Sequence, residues 1–362
     1  NGLPQVLAAH EPRDIFNADE TGIFYSLFPD RLLTEKEASR KRSEGRLTVM
    51  VCANMDGSEK LPLLVIGKSE KPRCFANVRS LPTQYKANKM AWMTSAIFEA
   101  WAHKVDKLYQ KKKRKIAIIV DNCLAHPHLT EMKNVKLVFL PVNGPAKLQP
   151  LDQGIIQSLK THYRRQLITS FLAAVDKKEE YSPSVLDAMI LLKKSWNLVK
   201  ETTITHCFKH AGFKRTTTAQ DKETAEPDID TTTADDDESL IDQLRDAGMA
   251  VPPAATLESY AAVDADVRCT TELTDDAILD AVSSSLALVD GADNDGECSN
   301  PRARQPVSSA EAMQCLEKLR DFALQNNHTE AMFDAIFDIE EAIGLVQKGK
   351  ATQKRMKCIF KH

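Results

Sequence analysis

Three aspartates stand where the expected secondary structure changes, and together they could bind a hard cation. Asp19 ends the first expected strand, Asp121 ends a buried strand, and Asp152 lies in the first turn of a long helix. If the two strands are neighbours, two carboxylates project from adjacent strand ends, and the helix start brings the third alongside. Crowded carboxylates repel one another unless cations lie between them, and oxygen ligands favour Mg²⁺ or Mn²⁺. Two such ions, about 3.5–4 Å apart, are the apparatus of metal-assisted phosphoryl transfer.

Each aspartate also has a purely structural explanation. Asp19 can be a turn residue at a strand end, and Asp121, followed by Asn122, can begin an Asx turn. Asp152 can be a negative charge favoured by the dipole at a helix N-terminus. Spacing alone leaves both interpretations open.

Other polar residues beside the acids have weaker claims. Glu20 follows the first acid, but successive strand residues face opposite ways, so we expect a supporting or structural role in the second shell rather than a fourth ligand. Asn122 can either orient the second acid or cap a turn. His126 and His128 have no Cys or His partner at zinc spacing, so a histidine metal site is disfavoured.

The elements that must position the acids follow the order β-β-β-α-β-(α)-β-α. Strands are expected at 14–19, 46–55, 61–66, 116–120 and 136–140, and helices at 92–110 and 149–175. Asp56-Gly57 is a hairpin signal, so the first three strands form an antiparallel meander. The unbroken apolar run Ile116–Val120 predicts a strand buried on both faces. The predicted fold class is α/β, a mixed sheet with flanking helices.

The formal net charge of −3 conceals three parts of different charge. Residues 1–215 have a net charge of +14, residues 216–303 of −18, and residues 304–362 of +1. We therefore predict a catalytic domain with trailing helices over 1–215 and a mostly disordered acidic linker over 216–303, with possible protein partners. Helical periodicity returns over 308–347 and predicts a C-terminal helical hairpin within 304–362.

Composition excludes several classes of protein. With 43% hydrophobic residues the chain can bury a core, and it contains no run of 18 apolar residues that would span a membrane. None of the eight cysteines forms a C-x-x-C pair, which favours a reducing compartment over a disulfide framework. Because the sequence begins at Asn1 rather than Met, we expect an N-terminally truncated fragment.

Seven segments, in order along the chain, resemble the catalytic domain of pogo/Tigger-type transposases, a DDE superfamily whose relatives include the Tigger-derived proteins, jerky and centromere protein B. These segments are Asn17–Gly22, Arg46–Asn54, Leu63–Ser69, Lys71–Phe75, Ala91–Ser95, Val120–Pro127 and Leu148–Ile155. The resemblance covers roughly residues 1–215 and implies an RNase H-like fold. It also implies that Asp19, Asp121 and Asp152 are the catalytic residues and hold two Mg²⁺ or Mn²⁺ ions.

The sequence departs from the family pattern before the third acid. Where the family has a Pro-Asn-Thr-Thr-Ser-type loop, this chain has Val142–Ala146, which lacks those hydroxyls. The family's two helix-turn-helix DNA-binding units are also not found in this sequence.

Basic residues suggest where DNA would lie. Four lie near the third acid and are candidate contacts to the DNA backbone: Lys147, Lys160, Arg164 and Arg165. The run Lys111–Lys115 is a nuclear localisation signal, a phosphate contact or a solvated linker. It precedes a strand, so we expect it at the sheet edge opposite the acids.

Two functions remain in view. The first is a metal-dependent DNA endonuclease and strand-transfer domain in the nucleus, for which a homodimer in a DNA complex is one arrangement. The alternative is a domesticated, non-catalytic DNA-binding or chromatin protein that retains the fold.

Overall fold

The computed structural model describes residues 7–29, 45–141, 148–213 and most of 234–270, with a few residues between 311 and 339. The chain divides into two compact units, 1–301 and 302–362. In the second unit, the described residues between 311 and 319 are helical. Most of the predicted C-terminal hairpin lies outside the described residues, and the predicted boundaries at 215 and 303 stay predictions.

A six-stranded mixed sheet forms the centre of the first unit. Its strands are β1 (Ile15–Phe24), β2 (Arg46–Asn54), β3 (Leu64–Gly67), β4 (Gln84–Ala87), β5 (Ile116–Val120) and β6 (Val135–Phe139). They lie in the order β4-β3-β2-β1-β5-β6. β2 is antiparallel to β1 and β3, whereas β1, β5 and β6 are mutually parallel. The predicted α/β class and the antiparallel meander are confirmed, and the arrangement agrees with an RNase H-like fold.

Helices cover both faces of this sheet. They are α1 (Ser95–Lys112), α2 (Ile155–Asp176), α3 (Val185–Leu198), α4 (Glu201–His210), α5 (Ala234–Asp246) and α6 (Leu257–Ala262). On one face α1 buries Phe98, Trp101 and Tyr109 against the strands. On the other face α2, α3 and α4 contribute a second apolar cluster. Among the described helices, none is long and apolar enough to cross a membrane.

The alternation of side chains along β5 explains why an unbroken apolar run is needed there. Ala117 and Ile119 pack into the cluster beneath α2, whereas Ile116, Ile118 and Val120 pack into the cluster beneath α1. All five residues are buried, because the strand is central and has a helical layer on each side. The bounds of β5 are those predicted from the sequence.

The predicted helix over 149–175 is broken near its start. Pro150–Gln153 forms a separate 3₁₀ helix, and α2 begins only at Ile155. Gly154 lies between them with φ of 133°, a backbone conformation that L side chains rarely adopt. The third acid therefore lies on a short turn rather than in the first turn of the long helix.

Part of the acidic segment is folded, which corrects the prediction of a mostly disordered linker for residues 234–270. Ile241 and Leu244 of α5, with Leu257 and Tyr260 of α6, pack against Ile168 of α2. The chain then continues to Thr270, which forms a β-bridge with Met93. Apolar residues at helical spacing and a ready surface on α2 outweigh the acidic composition here.

A buried ion pair fastens this segment to the domain. The Arg164 guanidinium contacts the Asp264 carboxylate, and both side chains are fully buried. Arg164 also donates to the carbonyl oxygen of Phe24, at 2.9 Å, and its guanidinium lies over the ring of Tyr260. Asp264 accepts from the backbone N–H of Phe24 at 3.1 Å, so the pair joins β1, α2 and the end of α6.

We expect Arg164→Met to lower the free energy of unfolding by about 3–5 kcal/mol, because it leaves the Asp264 charge buried without a partner. Urea denaturation followed by circular dichroism measures the change. The double variant Arg164→Met/Asp264→Leu should recover much of the loss, since no charge is then left buried. Arg165→Met, at the neighbouring and partly exposed position, is the matched control. Equal losses in Arg164→Met and the control would contradict the assigned role.

Candidate active site

A buried asparagine joins the three elements that carry the acids. The Asn17 side chain donates from Nδ2 to the carbonyl oxygen of Ile119 in β5, at 3.0 Å. Its Oδ1 accepts from the backbone N–H of Leu151 in the 3₁₀ helix, at 2.9 Å. Asn17 lies two residues before Asp19 on the same face of β1, and Leu151 immediately precedes Asp152. One amide therefore sets the position of β1, β5 and the acidic turn relative to one another.

The strand register brings the first two acids to the same level. β1 and β5 are parallel neighbours in which Asn17 pairs with Ile119. Two residues further along, the same register places Asp19 beside Asp121. The prediction that both aspartates stand at strand ends holds for Asp121, which directly follows β5, but is wrong for Asp19. Asp19 lies in the middle of β1, because this strand pairs with β2 as far as Phe24.

The environment of Asp19 disfavours its negative charge. Burial raises the pKa of Asp19 well above its usual range, and the neighbouring Asp152 and Glu20 carboxylates raise it further. A hydrogen bond from Gln149 opposes this rise in pKa, and the backbone N–H of Glu20 donates to Asp19 Oδ1 at 2.8 Å. The site thus brings together carboxylates whose negative charges destabilise one another.

Asp152 shares this environment. Loss of water around its carboxyl raises the pKa of Asp152, and the Asp121 charge adds to the rise. Interaction with the Asp19 side chain lowers the pKa of Asp152 and opposes part of this rise. A cation placed among these oxygens would neutralise the repulsion between the carboxylates.

A buried histidine links the second acid to Glu20. His126 Nδ1 lies 2.6 Å from Asp121 Oδ1, and Nε2 lies 3.0 Å from Glu20 Oε1. The ring is fully buried and packs on Phe98, with ring centroids 4.2 Å apart. Burial lowers the pKa of His126, but hydrogen bonds with Asp121, Cys123 and Glu20 outweigh it and raise the pKa overall. Glu20 therefore faces the α1 side of the sheet and supports Asp121 through the ring.

A hard divalent cation fits the oxygen donors of this site better than a softer one. Asp121, Cys123 and His126 place one ligand atom each within 4.8 Å of one another. Both ring nitrogens of His126 already face carboxylates, which assigns the ring to hydrogen bonding rather than metal coordination. The Cys123 thiol is a soft donor that Mg²⁺ and Mn²⁺ disfavour, whereas Asp19, Asp121 and Asp152 offer the carboxylate oxygens that these ions prefer.

The structure changes the sequence-based choice of DNA-contact residues. Lys160 is buried and donates to the carbonyl oxygen of Asp264 at 2.9 Å, and Arg164 is fully buried in its ion pair. These two predictions are therefore corrected, because neither side chain reaches the surface. Arg165 is partly exposed beside His162. Lys147 lies outside the described residues, and so does the loop Val142–Ala146, whose sequence differs from the family pattern.

Sequence reasoning missed three residues that support the acids. Asn17 is a polar residue inside an apolar strand. Because residues two apart in a strand share a face, its position before Asp19 could have indicated a role beside that acid. Gln149 directly precedes the prolyl start of the acidic turn. His126 was considered only as a metal ligand, whereas its role is to bridge two carboxylates. Asn122, the residue proposed to orient Asp121, is exposed.

Comparison with known proteins gives the family. Residues 44–208 match the model of the DDE superfamily endonuclease. The chain is 34% identical to Tigger transposable element-derived protein 4 of Mus musculus, over 95% of this chain and 67% of that protein. This chain belongs to the Tigger-type, transposase-derived family.

Other members of the family are similar over shorter regions. Major centromere autoantigen B of Homo sapiens is 32% identical over 58% of this chain and 35% of its own length. The Jerky protein homolog of Homo sapiens is 31% identical over 55% of this chain and 36% of its own length. The chain thus spans about two thirds of the first relative and about a third of these two. No solved structure matches it.

We expect Asn17→Ala to lower the free energy of unfolding by about 2–5 kcal/mol, because it leaves the Ile119 carbonyl and the Leu151 N–H buried without partners, at about 1–3 kcal/mol each. Chemical denaturation measures the loss. Asn122→Ala is the matched control at an exposed position, and we expect it to change stability by less than about 0.5 kcal/mol. A similar small effect for both variants would contradict the joining role of Asn17.

Proposed function

We propose that this chain is a metal-dependent DNA endonuclease and strand-transfer domain acting in the nucleus. The observation that carries the proposal is the convergence of three aspartates near one edge of the sheet: Asp19 within β1, Asp121 directly after β5 and Asp152 on a 3₁₀ turn. Membership of a transposase-derived family whose matching model is an endonuclease supports the same reading.

Asp19, Asp121 and Asp152 would hold two Mg²⁺ or Mn²⁺ ions. When bound, such ions activate a water molecule or hydroxyl and stabilise the departing oxygen of a phosphodiester. In the first step, water attacks the phosphorus and the bond to the 3′ oxygen breaks, which leaves a 3′-hydroxyl. In the second, that 3′-hydroxyl loses its proton to solvent and attacks the phosphorus of a target phosphodiester, and the bond from that phosphorus to the target's 3′ oxygen breaks, which leaves a 3′-hydroxyl on the target DNA.

The chain's own residues contribute position rather than proton transfer. Asn17 keeps the turn bearing Asp152 against β1 and β5. His126, held by Glu20, fixes the Asp121 carboxylate from the α1 side. Residues that orient metal ligands in this way commonly change metal affinity or activity about 10–100-fold when removed.

Replacement of any one of the three aspartates by asparagine should reduce DNA nicking by at least about 100-fold, because a ligand contributes more than the residues that orient it. Conversion of supercoiled plasmid to the nicked form, with Mg²⁺ or Mn²⁺, measures the rate for the 362-residue chain. Asp176→Asn, an exposed aspartate at the end of α2, is the matched control. If Asp121→Asn nicks as fast as the parent chain, the catalytic assignment is wrong.

Metal binding should also raise thermal stability. The variant Asp19→Asn separates two effects of this carboxylate, which are metal binding and destabilisation of the metal-free fold. Mg²⁺ at 100 times its dissociation constant would add about 2.7 kcal/mol. Because burial and repulsion raise the pKa of Asp19, its ionised form destabilises the metal-free fold near neutral pH. Asp19→Asn should therefore raise the metal-free Tm and abolish the rise caused by Mg²⁺. Thermal unfolding by circular dichroism, with and without metal, measures both.

The alternative, DNA binding without cleavage, is favoured by one relative's name. ARS-binding protein 1 of Schizosaccharomyces pombe is 31% identical over 51% of this chain. If millimolar Mg²⁺ and Mn²⁺ leave the parent Tm unchanged, this second function is preferred over the first.

A further inference from the structure

The edge of the sheet that carries the acids continues past them to β3 and β4. β2 is antiparallel to both β1 and β3, and β4 is parallel to β3. The carboxyl ends of β3 and β4 therefore point the same way as those of β1 and β5. The register places Gly67 and Ala87 level with Ile23 of β1, so the residues that follow them lie at this carboxyl edge but beyond the level of Asp19 and Asp121.

This part of the edge is rich in positive charge. Residues 67–90 contain six basic residues and one acidic residue. We call the six basic side chains the basic rim; all are exposed, and they are Lys68, Lys71, Arg73, Arg79, Lys86 and Lys89.

Local contacts hold the basic rim in a defined shape. The Tyr85 hydroxyl donates to the carbonyl oxygen of Ser69 at 2.6 Å, and the Tyr85 ring packs edge-on against Phe75 at 4.9 Å. The Asn88 side chain closes the following turn, since Nδ2 donates to the Trp92 carbonyl at 2.6 Å and Oδ1 accepts from the Trp92 N–H at 3.1 Å. The lysines at this edge thus extend from an ordered backbone.

The opposite edge of the sheet also carries basic side chains. There, at the end of α1, Lys112 contacts Glu59, and Arg114 is paired with Asp14 and Glu59. Lys111, Lys113 and Lys115 are exposed at that edge, on the far side of the sheet from the acids. Two clusters of exposed lysines in one domain therefore differ in their position relative to the candidate active site.

We infer that the basic rim binds the phosphate backbone of duplex DNA on one side of the site of cleavage. The inference rests on the proposed function, for which the rim supplies a path for the substrate. Three strand spacings, about 14 Å, separate β4 from β1, and the register places Lys86 three residues, about 10 Å, beyond the level of Asp19. The resulting distance of about 17 Å corresponds to about five base-pair steps of 3.4 Å. The rim replaces Lys160 and Arg164, whose burial removes them from any contact with DNA.

The test is the salt dependence of duplex binding by the 362-residue chain without metal, so that no cleavage occurs. The rim variant is Lys68→Gln/Lys86→Gln/Lys89→Gln, and the control is Lys111→Gln/Lys113→Gln/Lys115→Gln, with the same change in net charge. Fluorescence anisotropy of a labelled duplex, from about 50 to 200 mM salt, gives the slope of log K against log salt. The slope should fall in magnitude by about 2.7 in the rim variant, at about 0.9 per phosphate contact, and stay unchanged in the control.

Equal slopes for both variants would overturn the inference, because the effect would then be one of net charge alone. An unchanged slope in the rim variant, together with lost binding of a polyaspartate peptide, would assign the rim to an acidic protein segment instead. The two proposals fail separately. Loss of nicking in Asp121→Asn with normal duplex binding by the rim variant overturns only the rim. Normal nicking in Asp121→Asn with weakened binding by the rim variant overturns only the endonuclease.

Discussion

Asp19, Asp121 and Asp152 repel one another, and the surrounding structure has to hold them together despite that repulsion. Burial strengthens repulsion between like charges, because the effective dielectric constant falls from about 80 in water to about 20 near a protein. The hydrogen bonds made by Asn17 contribute about 1 kcal/mol each and do not remove this repulsion. What they can do is define the arrangement, while the two apolar clusters on either face of the sheet supply the stability. Burial and the neighbouring carboxylates raise the pKa values of Asp19 and Asp152, and a cation bound as proposed would relieve that unfavourable environment.

The sequence predicts the parts of the site that depend on local pattern. β5 is recognisable because a strand between two helical layers must be apolar on both sides, and an acid at its end then stands at the sheet edge. The position of Asp152 was predicted less accurately, since the transition from 3₁₀ helix to α2 depends on Gly154 and on the tertiary bond from Asn17 to Leu151. β4 was not predicted, because Gln84–Ala87 is short, polar in part and recognisable only through its pairing with β3.

Composition misled the reading of the acidic segment for a related reason. Net charge is an average, and it does not record which acid has a partner. Asp264 is one of the 22 acidic residues of 216–303, yet it is buried against Arg164 of the basic domain. The same pairing removed Arg164 from the set of possible DNA contacts. One contact between distant parts of the chain thus changed both a prediction of disorder and a prediction of function.

The positions of the exposed basic side chains fit the proposed substrate, which is a negatively charged DNA duplex. A phosphodiester brings negative charge to an edge that already holds three carboxylates, so its approach is unfavourable until cations neutralise them. Metal ions act only over the few ångströms around the scissile phosphate, and at physiological salt the field of any charge is screened within about 8 Å. Phosphates several base pairs away therefore need their own positive partners. Side chains about 14 Å from β1 on the same edge can neutralise them, whereas Lys111–Lys115 at the opposite edge are separated from that path by the length of the strands. In the proposed function, the basic rim and the acidic site are thus two parts of one electrostatic arrangement, in which the carboxylates would bind cations and the lysines would bind the DNA backbone.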